Sequence, residues 1–354
     1  MKTKYSLLAA ELRRLCIQLR RSGQTRLPGE AELCSRYGTS RQTVRRALDL
    51  LEAEGLVLRM RGSGTYLAGG IPSRSLTVSV VTADADEYLY PRLLRDLRSG
   101  FSGSGLETES LVTGNLFSEE RRILTGILER PPAAVLLEPV RSALPNPNLD
   151  LLRRIAAEGI PLVSLRAALP EMKNTPAVLE DNEGGARLLV RHLLEKGHRQ
   201  LAGVFRQDEQ AGPERCLGFV SEALQSGCPE AERHLFWYTA EDLADFRAGG
   251  TEPLLRFLRG RLRPCTAVVC HDDRIAELLI RCLLQAGLRV PGDLAVVSFD
   301  NSPLCRLSPV PVTSLSHERG RMGDAAVRTV LELLRGRQPG SELLGWRLRE
   351  RQSG

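Results

Sequence analysis

Residues able to read the edges of DNA bases are concentrated in one short segment, from Ser40 to Arg45. Arginine can donate two hydrogen bonds to O6 and N7 of guanine, and glutamine can pair with adenine in the same bidentate manner. Each such pair contributes roughly 1–3 kcal/mol of discrimination between bases. The candidates for DNA contact in this segment are Ser40, Arg41, Gln42, Thr43 and Arg45.

Two other interpretations of this segment stay open. The arginines also fit a helix surface that is simply solvated. Gln42 has a further alternative, because Thr39 and Gln42 have the T-x-x-Q spacing of a helix capping box. The arginines are therefore stronger candidates than Gln42.

The flanking elements are of the kind that places a helix in the major groove. Leucines at helical spacing predict a first helix over Tyr5–Arg20, and a second is predicted over Glu30–Tyr37. A third helix is expected to begin after Thr39 or Ser40, either of which can cap it, and to end at Gly55.

A two-stranded wing is predicted after this third helix. Leu56–Leu58 and Thr65–Leu67 are expected to pair across a glycine-rich turn. The turn adds two further candidates for DNA contact, Arg61 and Gly64. Together these elements predict a winged helix-turn-helix domain over residues 1–68.

The distribution of charge agrees with a DNA-binding domain at this end. Residues 1–70 contain 13 Lys and Arg against 6 Asp and Glu, whereas the whole chain carries a net charge of +6. The excess positive charge therefore lies in the first fifth of the protein. Such a segment suits phosphate, because each neutralised phosphate releases condensed counterions.

The rest of the chain has a different pattern, and residues 69–75 are interpreted as a linker. Beyond it, short apolar runs alternate with helical patterns such as Gly185–Lys196 and Ile275–Ala286. Alternation of this kind predicts parallel sheets covered by helices on both faces. Because residues 76–354 are more than a single α/β sheet normally contains, we expect two α/β lobes there. The apolar runs are Leu76–Val81, Ala133–Leu137, Pro161–Leu165, Leu201–Phe205, Thr266–Cys270 and Leu294–Phe299.

Several classes of protein are disfavoured by composition and motifs. The N-terminus lacks a secretory signal pattern, and no run approaches the ~18 apolar residues of a membrane span. The eight cysteines form neither a C-x-x-C pair nor zinc spacing, so buried thiols in a reducing cytoplasm are expected. No metal, no cofactor and no catalytic residue is expected, since no nucleophile elbow or paired metal spacing occurs.

Residues 5–67 resemble the winged helix-turn-helix of GntR-type bacterial regulators. The family's LPSERELA motif corresponds to LPGEAELC here, with Ala31 in place of a DNA-contacting arginine. That one contact therefore does not carry over. Arg41, Thr43 and Arg45 occupy the positions of the recognition helix, and Arg61 and Gly64 those of the wing tip.

Residues 76–353 resemble the effector domain of LacI/GalR-type regulators, which is shared with periplasmic sugar-binding proteins. The resemblance is carried by EDNEGGARLLVRHLLEKGHRQLAGVF (180–205), ERCLGFVSEAL (214–224), VCHDDRIA (269–276) and GLRVPGDLAVVSFD (287–300). It implies two lobes joined by crossovers near residues 181, 317 and 347. Arabinose repressors of Gram-positive bacteria are similar over further segments, notably LEPVRSALPNPN (137–148).

This resemblance implies a sugar site between the lobes, with charged side chains on the hydroxyl groups and an aromatic ring against the C–H face. The implied ligand-binding residues are Tyr88, Tyr90, Glu138, Arg141, Arg215, Asp273 and His317. Alternatives stay open: Asp273 as a helix N-cap, Arg215 as an ion-pair partner, and loop roles for the tyrosines, Glu138 and Arg141. The segment SFDNSP and the strand end Leu165-Arg166 depart from the arabinose group.

The resulting hypothesis is a cytoplasmic, homodimeric transcriptional repressor that binds double-stranded operator DNA and is released by a pentose, with L-arabinose first among the candidates. A related regulator that responds to another sugar, or that activates, stays open. A carbohydrate-binding protein without regulatory role and a sugar-acting enzyme are the rivals from other classes. The basic N-terminal domain disfavours the carbohydrate-binding protein. The enzyme is disfavoured because a glycosidase needs an acid/base pair of carboxylates at a set separation, and the fold that the chain resembles is a binding fold.

Overall fold

The N-terminal elements form a small helical domain with a β-hairpin. The structure, a computed structural model, describes residues 4–21, 26–54, 56–60, 64–67, 76–84, 90–317 and 320–354. This domain consists of α1 (Lys4–Arg21), α2 (Glu30–Tyr37), α3 (Arg41–Ala53), β1 (Val57–Met60) and β2 (Gly64–Leu67). The two strands are antiparallel, with Val57 opposite Leu67.

The apolar stripe of each helix faces one shared core. Leu12 of α1, Leu33 of α2 and Leu48 of α3 are fully buried, and Leu67 closes the core from the hairpin. Burying side chains of this size contributes about 1.5–3 kcal/mol each. Because α3 turns its apolar side to this core, its polar side faces outward.

The remainder of the chain builds two α/β lobes. The first run of elements is β3 (Thr77–Thr82), α4 (Tyr90–Ser102), β4 (Glu107–Val112), α5 (Phe117–Glu129), β5 (Ala134–Leu137), α6 (Leu149–Ala157), β6 (Leu162–Leu165) and β7 (Ala177–Glu180). The second run is α7 (Asn182–Glu195), β8 (Leu201–Arg206), α8 (Ala211–Gln225), β9 (Leu235–Tyr238), α9 (Ala240–Arg247), α10 (Glu252–Arg259), β10 (Ala267–Cys270), α11 (Asp273–Gln285), β11 (Ala295–Ser298), α12 (Leu304–Leu307) and β12 (Thr313–Ser316). The chain ends with α13 (Arg321–Leu334), β13 (Glu342–Leu344) and β14 (Arg347–Arg349).

Each lobe contains a sheet with helices on both faces. The first sheet has the order β4-β3-β5-β6-β7-β13 and is parallel throughout. The second has the order β9-β8-β10-β11-β12-β14, in which β14 alone runs antiparallel to its neighbour. Buried strands such as Ala267–Cys270 read as continuous apolar runs because both of their faces are covered.

The polypeptide passes between the lobes at three places. β7 belongs to the first lobe and α7 packs on the second, so the first crossover is at Asp181. The chain returns between β12 and α13, and it crosses again between β13 and β14. These three connecting segments form the hinge region between the lobes.

The predicted elements correspond to observed ones, with differences at their ends and additions between them. The six predicted apolar strands begin and end within one residue of the predicted bounds; Leu294–Phe299, for example, is one residue shorter at each end, at Ala295–Ser298. The sequence reasoning did not predict β4, whose ETESLV pattern is half polar because it lies at a sheet edge. The predicted linker, residues 69–75, lies outside the described residues.

Candidate DNA-binding surface and ligand cleft

The outer face of α3 carries the side chains predicted to contact bases. Arg41, Gln42 and Arg45 are exposed on it. The helix is capped by Ser40, whose Oγ accepts a hydrogen bond from the Thr43 backbone N–H at 3.3 Å. The Ser40 and Thr43 hydroxyls are also 2.9 Å apart. Two of the five candidates in this segment are therefore engaged in capping, whereas Gln42 is not needed for it.

Arg45 is held by an acid of the neighbouring helix. Its Nε lies 2.9 Å from Oε2 of Glu30, the first residue of α2. The Arg45 side chain is 63% exposed, so this ion pair is screened and is worth about 0–1 kcal/mol. A guanine edge or a phosphate can therefore replace Glu30 at small cost.

Arg59 ties the wing to α3. Its guanidinium pairs with Asp49 and lies 3.2 Å from Glu52, while its backbone N–H donates to Glu52 Oε1 at 3.0 Å. These contacts fix the position of the wing relative to the recognition helix. Of the two predicted wing residues, Gly64 is the first residue of β2 and Arg61 lies outside the described residues.

A cavity of about 380 Å³ lies between the lobes and is lined mainly by charged side chains. This volume falls in the range of small-molecule sites. From the first lobe come Asp84, Tyr90, Asn115, Glu138, Arg141 and Arg166; from the second come Arg206, Asp208, Glu209, Arg215, Arg247, His271, Asp272 and Asp300.

Arg166 is the centre of the charge network in this cavity. Its guanidinium lies 3.3 Å from Glu138, 3.8 Å from Glu180 and 3.4 Å from Glu209. Arg166 follows β6 and has a φ of +63°, a left-handed backbone conformation that residues other than glycine rarely adopt. Arg166 Nε is the atom nearest Glu138, and within the described residues it forms an ion pair without hydrogen-bond geometry.

Arg215 is a second arginine of the cavity and is almost fully buried on α8. Its Nε donates to Asn182 Oδ1 at 2.9 Å, and its Nη1 donates to the backbone carbonyl of His271. Nη2 lies 3.4 Å from Glu180, and the guanidinium stacks 4.1 Å from the centre of the Phe299 ring. Arg215 thereby joins the cleft to the first crossover, where Asn182 begins α7.

The paired arginines determine the ionisation of the buried acids. Burial raises the pKa of Glu180, but Arg166 and then His317 outweigh that effect and lower the pKa to about 2. Burial raises the pKa of Glu138 above its ordinary value, with Arg166 opposing the shift. Burial lowers the pKa of His271, so its imidazole is neutral at pH 7. The cleft is therefore rich in fixed, opposite charges.

Four of the seven residues predicted to bind the ligand lie in this cavity. Tyr90 and Glu138 are joined by a hydrogen bond of 2.9 Å from the tyrosine hydroxyl. Arg141, whose side chain is 27% exposed, and Arg215, which is buried, also line the cavity. Tyr88 lies outside the described residues.

Asp273 is placed behind the cavity wall rather than on it. Its carboxylate accepts hydrogen bonds from the hydroxyls of Ser298 and Ser314 and from the Ser302 backbone N–H. Burial, together with Asp300, raises its pKa to about 6. The preceding residue, Asp272, lines the cavity and caps α11 by accepting from the Ile275 N–H at 2.8 Å. The structure thus assigns the N-cap role to Asp272.

His317 lies in the hinge region, near the second crossover. Its Nε2 is 3.3 Å from Glu180, and its ring stacks on Trp346 with centroids 3.6 Å apart. Because Trp346 belongs to the third crossover, this stack joins two of the three connections between the lobes. His317 reaches the cavity through Glu180 and does not line it.

Sequence reasoning missed Arg166, Arg206, Asp208, Glu209 and His271 as cavity residues. Each follows or ends a strand of a parallel sheet: β6 for Arg166, β8 for Arg206 and its neighbours, β10 for His271. Ligands of open α/β sheets bind at the carboxyl ends of strands. Charged residues at those strand ends were the available signal.

Contacts between the lobes close the mouth of the cavity. Arg141 of the first lobe pairs with Glu241 at the start of α9, and Asp84 lies 3.5 Å from Arg247 at the end of α9. Gln210 N–H also donates to Ser142 Oγ at 2.9 Å, across the same gap. The two ends of α9 are thus tied to the opposite lobe by ion pairs of opposite polarity.

Among the described residues, no helix is long and apolar enough to cross a membrane. No group of three or more His, Cys, Asp or Glu side chains in that part of the chain could hold a metal ion.

Comparison with known proteins matches both parts of the chain. Residues 4–67 match the family model of bacterial regulatory proteins of the gntR family, and residues 190–354 match the periplasmic binding protein-like domain. An arabinose metabolism transcriptional repressor of Geobacillus stearothermophilus is 30% identical over 341 residues, covering 94% of this chain and 92% of the relative. The repressor of the same name from Halalkalibacterium halodurans is 29% identical over 341 residues, covering 94% and 90%.

The solved structures agree on the fold. The complex of the transcriptional regulator CelR with cellobiose has a TM-score of 0.69 at 24% identity, covering 93% of this chain and 100% of that one. The predicted fold class, a winged helix-turn-helix followed by two parallel-sheet lobes, is therefore confirmed. The chain belongs to the family of sugar-responsive transcriptional repressors that join a GntR-type DNA-binding domain to a periplasmic-binding-protein-like domain, the family of the arabinose metabolism repressors.

Proposed function

We propose that this protein is a cytoplasmic, homodimeric repressor that releases its operator DNA when L-arabinose binds between the lobes, acting by binding and not by catalysis. The observation that carries the proposal is the charged cavity between the lobes in a chain whose arabinose-repressor relative is similar over 92% of its length. L-arabinose is the effector of first choice because both relatives are named for arabinose metabolism.

The chemistry of the cavity favours an uncharged sugar. Each cavity arginine for which the structure gives an ion pair is already neutralised: Arg166 by Glu138 and Glu209, Arg206 by Asp208 at 2.8 Å. A sugar phosphate or sugar acid would need a cationic side chain that is not already neutralised by a carboxylate. Hydroxyl groups can instead donate to the carboxylates and accept from the arginines without changing the charge balance.

We propose a binding set that follows the cavity lining. Tyr90 supplies the ring for the C–H face of the sugar, while Glu138, Arg141, Arg166, Arg215 and Asp272 supply the polar contacts. Asp273 and His317 support this set from behind, through the Ser298–Ser302 segment and through Glu180 respectively. Ligand bound to both lobes stabilises their closed arrangement, because only closure brings the two sets of side chains together.

DNA binding is assigned to the outer face of α3 and to the wing. Arg41, Gln42 and Arg45 are the proposed base-reading residues, with Ser40 and Thr43 at the helix N-terminus near the phosphate backbone, and Arg61 and Gly64 at the wing. A homodimer would present two such surfaces to the halves of an inverted repeat. Coupling between sugar and DNA of about 1–3 kcal/mol, or 5–150-fold in affinity, is usual for regulators.

Isothermal titration of the DNA-free protein with a panel of sugars tests the effector. L-arabinose is expected to bind more tightly than D-xylose, D-ribose, D-galactose or D-glucose, and arabinose phosphate is expected not to bind. An Arg215→Met variant is expected to lose binding and to keep its affinity for DNA. Preference for another sugar would reject arabinose and leave the repressor, whereas preference for the phosphate would reject the neutral-sugar argument.

A further inference from the structure

Arg26 lies beside the wing, immediately before the segment that leads into α2. Its backbone pairs with that of Tyr66 in an antiparallel bridge, and the next residue, Leu27, donates from its N–H to the Thr65 carbonyl at 2.8 Å. This short segment therefore adds an edge to the β1–β2 hairpin. These main-chain contacts fix the position of Arg26 relative to the hairpin.

The Arg26 side chain is folded back along β2. Its Cζ lies 5.8 Å from the centre of the Tyr66 ring, a cation–π distance. A Cβ added to Gly64 would lie 3.0 Å from Arg26 Nε and 3.2 Å from Nη2. The guanidinium thus lies in the space that a side chain at Gly64 would enter.

Within the described residues Arg26 makes no ion pair, as is also true of Arg36, Arg41 and Arg46, whereas other arginines of this domain are paired. Arg13 pairs with Glu54, Arg45 with Glu30, and Arg59 with Asp49 and Glu52. Arg26 is exposed, and no carboxylate of the described residues lies within ion-pair distance of it. An exposed cation that is already ordered attracts an anion without losing an internal ion pair.

We propose that Arg26 binds a phosphate of the DNA backbone beside the wing, and that Gly64 is required because its missing side chain leaves room for this guanidinium. The inference rests on the proposed operator binding by α3 and the wing. Because the guanidinium lies beside Gly64 and Tyr66 of β2, it is placed to meet a DNA backbone that passes the wing. It supplies a cation in a domain where Ala31 replaces the family's motif arginine.

The salt dependence of DNA binding tests this contact. Fluorescence anisotropy of the full-length protein would be recorded from 50 to 300 mM salt on its own upstream DNA and on a scrambled duplex. Arg26→Ala is expected to weaken binding to both duplexes alike and to reduce the slope of log K against log salt by about 0.9, the value for one phosphate contact. Arg26→Lys is expected to restore most of the slope.

Arg14→Ala is the matched control, since Arg14 is an exposed cation of α1 that pairs with Glu11, away from the hairpin. It removes the same charge and is expected to leave the slope nearly unchanged. An equal loss of slope in both variants would overturn the contact in favour of a general charge effect. A loss confined to the upstream DNA would replace phosphate contact with base reading. If the wild-type protein binds both duplexes equally, the proposed operator binding is wrong. The comparison of salt slopes between the variants still tests the phosphate contact.

A double-mutant cycle tests the role of Gly64. Gly64→Ala places a methyl group against the Arg26 guanidinium, at a residue whose φ of +120° already disfavours a side chain. We expect Gly64→Ala to weaken DNA binding less in the Arg26→Ala background than in the wild type. The same loss in both backgrounds would show that Gly64 acts independently of Arg26.

Discussion

Arg166 Nη2 of the first lobe lies 3.4 Å from Glu209 Oε1 of the second, inside the cavity that separates the lobes. The same guanidinium contacts Glu138 and Glu180, so one arginine joins carboxylates on both sides of the cleft. A ligand hydroxyl that binds Arg166 is therefore in contact with the charge network of both lobes. We therefore propose Arg166 as the residue that links sugar binding most directly to closure of the lobes.

We predict that Arg166→Lys weakens sugar binding about ten-fold or more, equivalent to about 1.4 kcal/mol. Lysine keeps the charge that balances the three carboxylates, but it lacks the planar fork that contacts them together. Titration calorimetry measures the effect, with DNA affinity and melting temperature as controls. Unchanged sugar affinity in a folded variant would remove Arg166 from the binding set.

The ion pairs at the ends of α9 predict an effect on closure. Asp84→Arg and Arg247→Asp are each expected to weaken sugar binding about two- to five-fold, because partly exposed pairs contribute roughly 0.2–1 kcal/mol. The double exchange restores the attraction with reversed polarity and is expected to recover affinity. The matched control exchanges Arg121 and Asp150, an exposed pair 2.9 Å apart within the first lobe. A double variant weaker than both singles would reject the cross-lobe pair.

Asp273 predicts a pH-dependent stability. Its folded-state pKa of about 6 lies above the usual 3.8, because burial and Asp300 disfavour the charged form. Its contribution to stability is therefore complete below about pH 3.8 and is lost as the pH rises through about 6. Asp273→Asn removes this titration, so the free energy of unfolding of the wild type should fall by about 1 kcal/mol more than that of the variant between pH 5 and pH 7. Urea unfolding at several pH values measures this, and parallel profiles would contradict it.

Arg45→Ala is predicted to cost about 1–3 kcal/mol of specific operator binding and to relax the preference for one base pair. Sugar affinity should not change, because α3 belongs to the separate N-terminal domain. Binding to a set of operators with single base changes measures the specificity. A variant that weakens all operators equally would assign Arg45 to the phosphate backbone.

The sequence was informative wherever one pattern had one physical meaning. Short, β-branched apolar runs such as Ala267–Cys270 are typical of strands covered on both faces, and the apolar stripe of α3 indicates which of its faces is outward. Edge strand β4 was missed because its outer side is polar. Asp273 and Asp272 are adjacent, and only the three-dimensional path of the chain shows that Asp272 faces the cavity. The network around Arg166 joins residues from 138 to 209 and leaves no local spacing to recognise.

The most direct test of the account is fluorescence anisotropy of the protein on its own upstream DNA, at fixed salt, with and without L-arabinose. The account predicts tight, sequence-specific binding that is weakened about 5–150-fold by L-arabinose and not by other pentoses or hexoses. Specific binding that no sugar alters would contradict the proposed coupling between the cleft and the DNA-binding domain.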